Sequence, residues 1–237
     1  MRVAWMESNG GWRRDVPGTG PGRRRPHEIK REPRVMYSPT PPSAEGFLLW
    51  VDAVGGYRVC LDDQVTLGQP AAAAEVDIPI LGDLSVRHAR IRRDGEGYLV
   101  EAIREVYVDG RAVDHVAALA DGCCLRLGDS VELVFRRPHA LSATARLDFG
   151  SRHRTAPTTD GIILMAEACI LGPRPHDHVV CRRWPGEVIL YRQDDALFCR
   201  SEMGGLTIDG VSRPGRGPIT RRSRIAGDRF SMSLEPL

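Results

Sequence analysis

Ser85 and His88 lie three positions apart, and residues of these types could serve an anion site, with the serine hydroxyl as a ligand and the histidine as a support for the loop. A serine hydroxyl donates to a phosphate oxygen, and an arginine guanidinium adds charge-assisted hydrogen bonds about twice as strong as neutral ones. Arg87, Arg90 and Arg104 lie in or beside this stretch. A serine near several arginines is one arrangement that can hold an anion such as phosphate. The competing interpretation is a serine that caps its own turn, a core histidine and three arginines that face water.

The chain offers no comparable set of residues for catalysis. His176, Asp177 and His178 carry metal-binding groups, but proline-rich sequence surrounds them and no further spaced ligand is evident, so a surface loop is the preferred interpretation. The sequence also lacks a glycine-rich phosphate loop that opens a helix, and it lacks a Gly-x-Ser-x-Gly motif. These observations predict a protein that is not an enzyme and that needs no metal or other cofactor.

The stretch that must position Ser85 and His88 runs from Val65 to Phe135 and has the pattern of short strands separated by turns. Apolar and charged residues alternate over residues 89–92, which is the period of a half-buried strand, and a hairpin turn follows at Asp94-Gly95. Strands this closely spaced, with no amphipathic helix between them, favour an antiparallel β-sandwich.

The order of landmarks in this stretch resembles that of a forkhead-associated (FHA) domain. A Leu-Gly strand end at Gly68 is followed by Ser-x-x-His-Ala at residues 85–89, by Asp109-Gly110, and by Leu-x-x-Gly-Asp at residues 125–129. The resemblance spans about residues 47–137. It implies an eleven-stranded β-sandwich that binds phosphothreonine peptides through loops at one end.

The resemblance also implies roles for individual residues. In FHA domains the serine of Ser-x-x-His and an arginine directly after the first glycine hold the phosphate, while the histidine supports the loops. Ser85 would then contact the phosphate. The residues expected to support the loops are Gly68, His88, Asp109 and Gly110.

Two departures from the family pattern bear on binding. Gln69 stands where the family has its arginine, and Ile103–Val106 replaces the family's later polar loop. Phosphate binding would therefore need charge from Arg87, Arg90 or Arg104. The alternative is a degenerate FHA scaffold that has lost phosphate recognition and acts as a structural or interaction protein.

The last third of the chain repeats the landmarks of the first unit. Gly68 recurs 104 positions later as Gly172, and Asp109-Gly110 recurs 100 positions later at residues 209–210. A nearly constant offset of this kind predicts two sandwiches in tandem. The expected division is a leader at residues 1–46, an FHA-like sandwich at 47–137, a partly buried linker at 138–159 and a degenerate FHA-like sandwich at 160–237. In the second unit the Ser-x-x-His position falls on residues 184–187, so phosphate ligands are absent there.

Composition favours a bacterial cytoplasmic protein. Of the 33 basic residues only Lys30 is a lysine, a bias typical of a GC-rich genome. The six cysteines form no Cys-x-x-Cys pair or disulfide framework, which favours free thiols in a reducing compartment. No apolar run is long enough to span a membrane, so no membrane partner is expected.

The leader, residues 1–46, is rich in proline, glycine and arginine and has no core-forming period, so disorder is expected. Residues 1–45 contain nine basic and five acidic side chains, whereas the whole chain has a net charge of +2. Nucleic-acid association through this basic tail is the weaker alternative function. A start at Met36 instead of Met1 remains open.

These patterns together predict a protein-interaction module. The leading hypothesis is binding of a protein partner, with or without phosphothreonine, in a bacterial signalling pathway run by Ser/Thr kinases. The sequence leaves the partner and the oligomeric state open.

Overall fold

The computed structural model describes residues 45–71, 76–95, 97–139 and 141–237. These residues form strands and turns and no helix, so the all-β expectation is confirmed. They therefore include no helix capable of crossing a membrane. The leader that is expected to be disordered falls, up to residue 44, outside the described residues.

The strands fall into two sets of eleven, which confirms the tandem organisation. The first set is β1 (Gly46–Val51), β2 (Gly55–Cys60), β3 (Gln64–Gly68), β4 (Ile78–Pro79), β5 (Ala89–Asp94), β6 (Gly97–Ala102), β7 (Val106–Val108), β8 (Arg111–Ala112), β9 (Val116–Ala118), β10 (Cys124–Leu127) and β11 (Val131–Arg136). The second set is β12 (Ala145–Phe149), β13 (Gly161–Leu164), β14 (Ala168–Gly172), β15 (Val179–Val180), β16 (Val188–Gln193), β17 (Ala196–Ser201), β18 (Leu206–Ile208), β19 (Val211–Arg213), β20 (Arg216–Ile219), β21 (Arg224–Gly227) and β22 (Phe230–Pro236).

Alternation of apolar and polar residues explains why most of these segments are strands with one buried face. In β11, Val131, Leu133 and Phe135 are fully buried, whereas the intervening Glu132 is exposed. Successive side chains of a strand point to opposite faces, so this pattern buries one face only. β1 and β13 depart from this pattern, because five of the six residues of β1 and all four residues of β13 are buried.

Matching hairpin turns show that the repeat extends to backbone detail. Asp109 and Gly110 have φ angles of 50° and 76°, and Asp209 and Gly210 have φ angles of 52° and 81°. Two successive positive φ values define the type I′ turn that joins closely twisted strands, and Asp-Gly is a favoured pair for it. In both repeats the aspartate carboxylate accepts from a backbone amide of the next paired strand, at Cys124 and at Arg224.

The strands assemble into three sheets. One sheet has twelve strands in the order β19-β18-β21-β22-β1-β2-β13-β12-β11-β10-β7-β8. The other two have five strands each, β4-β3-β5-β6-β9 and β15-β14-β16-β17-β20, and these two orders correspond strand for strand. β2 and β13 pair in parallel at the centre of the large sheet. From there outward, equivalent strands of the two repeats follow in the same order on both sides.

The large sheet exchanges the first two strands of the repeats. β1 pairs with β22, where Leu49 lies opposite Leu234, and β12 pairs with β11, where Leu147 lies opposite Phe135. The first sandwich therefore consists of β3 to β13, and the second sandwich consists of β14 to β22 together with β1 and β2. Each sandwich is completed by the strand pair that would belong to the other sandwich in a simple tandem.

Two separate cores follow from this exchange. Leu147 and Ile162 pack in the first core with residues of β3 to β11, whereas Phe47 and Leu49 pack in the second core with residues of β14 to β22. Along β13, Ile162 belongs to the first core and Ile163 to the second. Because neighbouring residues of a strand face opposite sides, the two five-stranded sheets lie on opposite faces of the large sheet.

This arrangement differs from the division expected at residues 138–159. β12 lies inside the expected linker, and β1 and β2, expected in the first sandwich, complete the second. The parallel pair of β2 and β13 accounts for the difference physically, because it joins two strands that would otherwise each present an unpaired edge. The two sandwiches therefore share one continuous sheet while keeping separate cores.

Arginines brace the two places where the chain crosses between sandwiches. Arg93 on β5 donates to the carbonyl of Met165 at 3.4 Å, just after β13. Arg192, 99 positions later on β16, donates to the carbonyl of Leu61 at 2.8 Å, just after β2. The repeated use of one arginine shows that both crossings are built in the same way.

Candidate functional site

The candidate site lies where the loops after β3, β4 and β6 meet at one end of the first sandwich. Gln69 N donates to Ser85 O at 3.0 Å, which joins the loop after β3 to the loop between β4 and β5. Arg104 N donates to His88 O at 2.9 Å, which joins the loop after β6 to the same segment. Three loops that are distant in sequence are thus fixed to one another through backbone hydrogen bonds.

Gly68 is required where the first two loops touch. A Cβ atom placed on Gly68 would lie 1.9 Å from Val86 O and 2.8 Å from Ser85 O. Those distances are far below van der Waals contact, so any other residue would push the Ser85 loop away. The landmark that the sequence offered as a strand end is therefore also the contact surface for the serine loop.

His88 supports the site from beneath. Its side chain is buried, with 5% exposure, and its Nδ1 accepts from Ser85 N at 3.3 Å. Because Nδ1 accepts, the ring proton lies on Nε2, which donates to Glu105 O at 2.8 Å. Glu105 O also accepts from Gly128 N at 2.9 Å. His88 thus holds the serine loop against the loop between β6 and β7.

Ser85 is half-buried at the surface of this assembly. Both of its backbone groups are engaged, the amide with His88 and the carbonyl with Gln69. Its hydroxyl has no hydrogen-bond partner among the residues that the structure describes. A hydroxyl on a backbone that is fixed on both sides is well placed to donate to a ligand.

The three predicted arginines occupy different positions. Arg87 is exposed in the loop between Ser85 and His88, and Arg104 is exposed in the adjoining loop. Arg90 lies in β5, where its guanidinium forms an ion pair with Glu101 of the neighbouring strand at 3.1 Å. The structure therefore brings Arg87 and Arg104 to the serine loop, whereas Arg90 is engaged on the face of the sheet.

Asp109 and Gly110 lie away from the serine loop. Glu105 precedes β7 and Asp109 follows it, so the Asp-Gly turn sits at the opposite end of that strand. Asp109 Oδ1 accepts from Cys124 N at 2.9 Å, and the turn supports the β7–β8 hairpin and β10. The Asp109-Gly110 turn therefore supports the site only by fixing the position of β7.

A segment that sequence reasoning missed packs against the flank of the serine loop. Arg154 O accepts from Leu81 N at 2.8 Å, Thr155 pairs with Ile80, and Ala156 N donates to Pro79 O at 2.9 Å. These residues belong to the connection between β12 and β13, more than seventy positions away in the chain. The strand exchange alone brings them here, and no local signal in the sequence marks it.

The equivalent end of the second sandwich is built differently. Trp184 occupies the position of Ser85 and packs on Phe230, with ring centroids 5.1 Å apart. Glu187 occupies the position of His88 and forms an ion pair with Arg174 at 2.7 Å. An aromatic residue and an internal ion pair thus replace the hydroxyl and the histidine of the first sandwich.

His176, Asp177 and His178 were expected in a surface loop, and for two of them that expectation is wrong. Asp177 and His178 are buried, with 1% and 0% exposure, and only His176 is exposed. His178 Nδ1 accepts from Ile170 N at 3.0 Å, a role that Asp77 Oδ2 fills toward Thr66 N at 2.6 Å in the first repeat. The buried histidine is a structural acceptor that replaces an aspartate.

Burial and neighbouring cations together keep His178 neutral. Desolvation, followed by the charges of His139 and Arg146, lowers the pKa of His178 to about 4. Within the described ranges no group of three or more His, Cys, Asp or Glu side chains is arranged to hold a metal ion.

The six cysteines are free, and five of them are buried. Desolvation raises the pKa of Cys60, Cys169, Cys181 and Cys199 to about 12. Thiols with pKa values this high are poor nucleophiles at neutral pH, so these cysteines act as small apolar core residues.

Comparison with known proteins finds similar solved structures among FHA domains. The chain is 28% identical to the FHA domain of Rv0020c over 35% of this chain and 84% of that one, with a TM-score of 0.26. It is 28% identical to the FHA domain of the CT664 protein from Chlamydia trachomatis, covering 35% of this chain and 89% of that one, with a TM-score of 0.26.

A third similar structure comes from a structural and functional analysis of phosphothreonine-dependent FHA domain interactions. It is 29% identical over 40% of this chain and 99% of that one, with a TM-score of 0.29. No family model and no curated protein matches the chain.

Proposed function

We propose that this chain is a protein-interaction module whose first sandwich binds a phosphothreonine-containing segment of a partner protein. The observation that carries the proposal is the Ser85 hydroxyl. It belongs to a loop whose backbone packs against Gly68 and is held by His88 and Gln69, and it has no partner among the described residues. The setting is bacterial Ser/Thr kinase signalling in the cytoplasm, with binding and not catalysis as the activity.

Charge for the phosphate would come from Arg87 and Arg104. Both are exposed on the loops that border Ser85, and neither forms an ion pair within the described residues. Arg90 is a weaker candidate, because binding a phosphate would require it to leave Glu101. Loop arginines on flexible stems pay more ordering entropy than an arginine fixed beside the strand end, so binding is expected to be weak.

The glutamine at position 69, where the family has an arginine, determines how much phosphopeptide affinity the site lacks. Its backbone amide is fixed by Ser85 O and its side chain is exposed, so it is positioned as the family's arginine would be but lacks the charge. A hydrogen bond to a charged group contributes about 1.5–3 kcal/mol, which corresponds to roughly ten- to a hundredfold in affinity.

A degenerate scaffold is the second candidate, and specific observations favour it. Gln69 removes the expected cation, Arg90 is paired internally, and the second sandwich has Trp184 and Glu187 in place of the serine and the histidine. In that case the continuous sheet itself would be the functional feature, holding two binding surfaces at a fixed separation. Nucleic-acid association through the leader concerns residues outside the described ranges.

The Gln69→Arg variant tests the proposal most sharply. We expect it to tighten phosphothreonine-peptide binding by roughly ten- to a hundredfold, since the new guanidinium would lie beside Ser85. Ser85→Ala in that background should undo much of the gain. The measurement is fluorescence anisotropy with a phosphothreonine peptide library, with the unphosphorylated peptides as the ligand control.

Gln64→Arg is the matched protein control. It makes the same substitution at an exposed position at the other end of β3, so it adds the same charge away from the loops. If Gln69→Arg folds normally and binds no phosphopeptide, or if Gln64→Arg gains as much affinity, the phosphate-binding proposal fails and the scaffold alternative stands.

A further inference from the structure

A cleft at the end of the second sandwich is lined by three arginines. It has a volume of about 400 Å³ and lies between the segment Val180–Trp184, the β1–β2 turn at Asp52–Val54, and Arg229 in the β21–β22 turn. Arg182, Arg183 and Arg229 are exposed, and within the described residues none of them forms an ion pair. The cleft uses none of the residues proposed above for phosphothreonine binding.

One carboxylate also lines the cleft, and it is already engaged. Asp52 accepts a hydrogen bond from the hydroxyl of Ser231. Three guanidinium groups therefore face the cleft against one hydrogen-bonded carboxylate, and the local charge is positive. Guanidinium groups bind carboxylates and phosphates in a bidentate, planar geometry, so an anionic ligand is the chemistry that this surface fits.

The first sandwich shows what kind of ligand fits the equivalent groove. Ile80 N donates to Gly68 O, and Cys181 N likewise donates to Gly172 O, so Leu81 corresponds to Arg182. In the first sandwich Leu81 N donates to Arg154 O, and Thr155 pairs with Ile80. An extended segment of the chain itself thus occupies this groove by pairing with its backbone.

The second sandwich leaves the same groove open. The connection between β12 and β13 spans residues 150–160 and reaches over the flank of the serine loop, whereas the corresponding connection between β1 and β2 spans only residues 52–54. Within the described residues, Arg182 N has no backbone partner of the kind that Leu81 N has. Arg182 follows β15 in a turn that the hydrogen bond from Trp184 N to Cys181 O closes, and a backbone amide without a partner beside a positive cleft can pair with an added peptide strand.

We propose that this arginine cleft binds an extended peptide segment of a partner protein that carries carboxylate or phosphate groups. The segment would pair with the backbone at Arg182, and its anionic side chains would reach Arg183 and Arg229. The chain's own leader is excluded as the occupant by charge, because residues 1–45 hold nine basic and five acidic side chains.

The test uses the full-length protein and an array of labelled twelve-residue peptides of alternating Val or Thr with Glu, Asp or phosphothreonine. The expected result is binding of the acidic peptides, the phosphopeptides or both, with no binding of the matching lysine peptides. Comparison of the Glu, Asp and phosphothreonine sets identifies the anion. Binding should also slow hydrogen exchange at the Arg182 amide, because the added strand would accept from it.

Charge reversal assigns the site. Arg182→Glu combined with Arg229→Glu should weaken peptide binding at least tenfold, whereas Arg222→Glu, at an exposed position outside the cleft, should change it less than twofold. Arg182→Gln combined with Arg229→Gln gives a milder version in case reversal affects folding. Ser85→Ala should leave this binding unchanged, which separates the cleft from the site proposed in the first sandwich.

Three outcomes would overturn the proposal. The first is an array in which acidic peptides bind no tighter than lysine peptides. The second is binding that both double variants leave intact. The third is a twelve-nucleotide single strand that binds more tightly than every peptide and depends on the same arginines, which would assign the cleft to nucleic acid.

Discussion

The two sandwiches share a framework and differ at the end where ligands would bind. Both use an Asp-Gly type I′ turn and an arginine that braces the strand crossing. In both, a side chain also accepts from the backbone amide two residues before the glycine that ends the strand, Gly68 or Gly172. Their loops diverge, with Ser85 and His88 in one and Trp184 and Glu187 in the other. The contacts that hold the backbone are thus the same in both repeats, whereas the side chains of the loops at this end differ.

The largest expected effect tests whether the strands are exchanged. Leu147→Ala removes a fully buried side chain of the first core, and Leu49→Ala removes one of the second. Each should cost about 2–5 kcal/mol in free energy of unfolding. We expect Leu147→Ala to speed hydrogen exchange in β3, β5 and β6, and Leu49→Ala to speed it in β14, β16 and β17.

Each of these two variants is the control for the other. In a simple tandem β1 would pack in the first sandwich, so Leu49→Ala would loosen β3, β5 and β6 instead. That reversed pattern of exchange would contradict the strand order described here.

The second prediction concerns His178, the side-chain acceptor that takes the place of Asp77 in the second repeat. The folded pKa of His178 is about 4, below its ordinary value of 6.5, so the folded state binds the proton more weakly than the unfolded state. The stability that neutral His178 provides is complete above about pH 6.5 and is lost as the pH falls toward 4. The full loss is about 3 kcal/mol. Urea unfolding measured at several pH values would follow it.

His178→Asn is the matched control for this acid sensitivity. An asparagine oxygen can accept from Ile170 N as His178 Nδ1 does, and it does not titrate. The variant should therefore lose less stability between pH 6.5 and 4 than the parent chain. An unchanged pH dependence in His178→Asn would assign the acid sensitivity to other groups.

A smaller effect should come from the two Asp-Gly turns. Asp109→Ala and Asp209→Ala each remove a carboxylate that accepts a backbone amide, and each places alanine at a positive φ. Both changes should cost about 1–2 kcal/mol in free energy of unfolding. Asp209 also accepts from the Ser223 hydroxyl at 2.8 Å, so its replacement should cost more. Equal costs in chemical denaturation would show that the additional bond adds nothing.

The smallest expected effect concerns Arg90. Its ion pair with Glu101 joins side chains that keep 33% and 27% of their exposure, and such partly solvated pairs contribute less than about 1 kcal/mol. Arg90→Ala should therefore change the unfolding free energy only slightly and leave phosphopeptide affinity within twofold. A tenfold loss of affinity would place Arg90 in the binding site beside Arg87 and Arg104.

Much of the framework could be predicted from the sequence because the signals are local. Alternation of apolar and polar residues predicts β5 and β11, and the Asp-Gly pairs predict the turns. The nearly constant offset between matched landmarks predicts the tandem. Gly68 and His88 were also predictable, since the steric and hydrogen-bonding needs of the serine loop restrict these positions to particular residue types. For the site, the sequence identified the loop and its support.

The strand exchange could not be predicted, because β1 carries the same continuous apolar run, Phe47–Val51, whether it pairs with β22 or with β11. The choice depends on which strand edges remain unpaired in the whole assembly, and local sequence does not contain that information. The contact of Arg154 with Leu81 follows from the exchange and was hidden for the same reason. His178 was misjudged because its role as an acceptor for Ile170 is set by tertiary packing around a loop that looks polar.

The pairing of β1 with β22 has a consequence for folding of the chain during its synthesis. Trp50 donates to Glu235, a contact between residues 185 positions apart. At synthesis rates of roughly 5–20 residues per second, β1 and β2 would wait on the order of 10–40 seconds for their partner strand. During that time the first sandwich can close as soon as β13 has emerged, while the apolar face of the β1–β2 hairpin stays uncovered. The hairpin that is made first is therefore among the last elements to be buried.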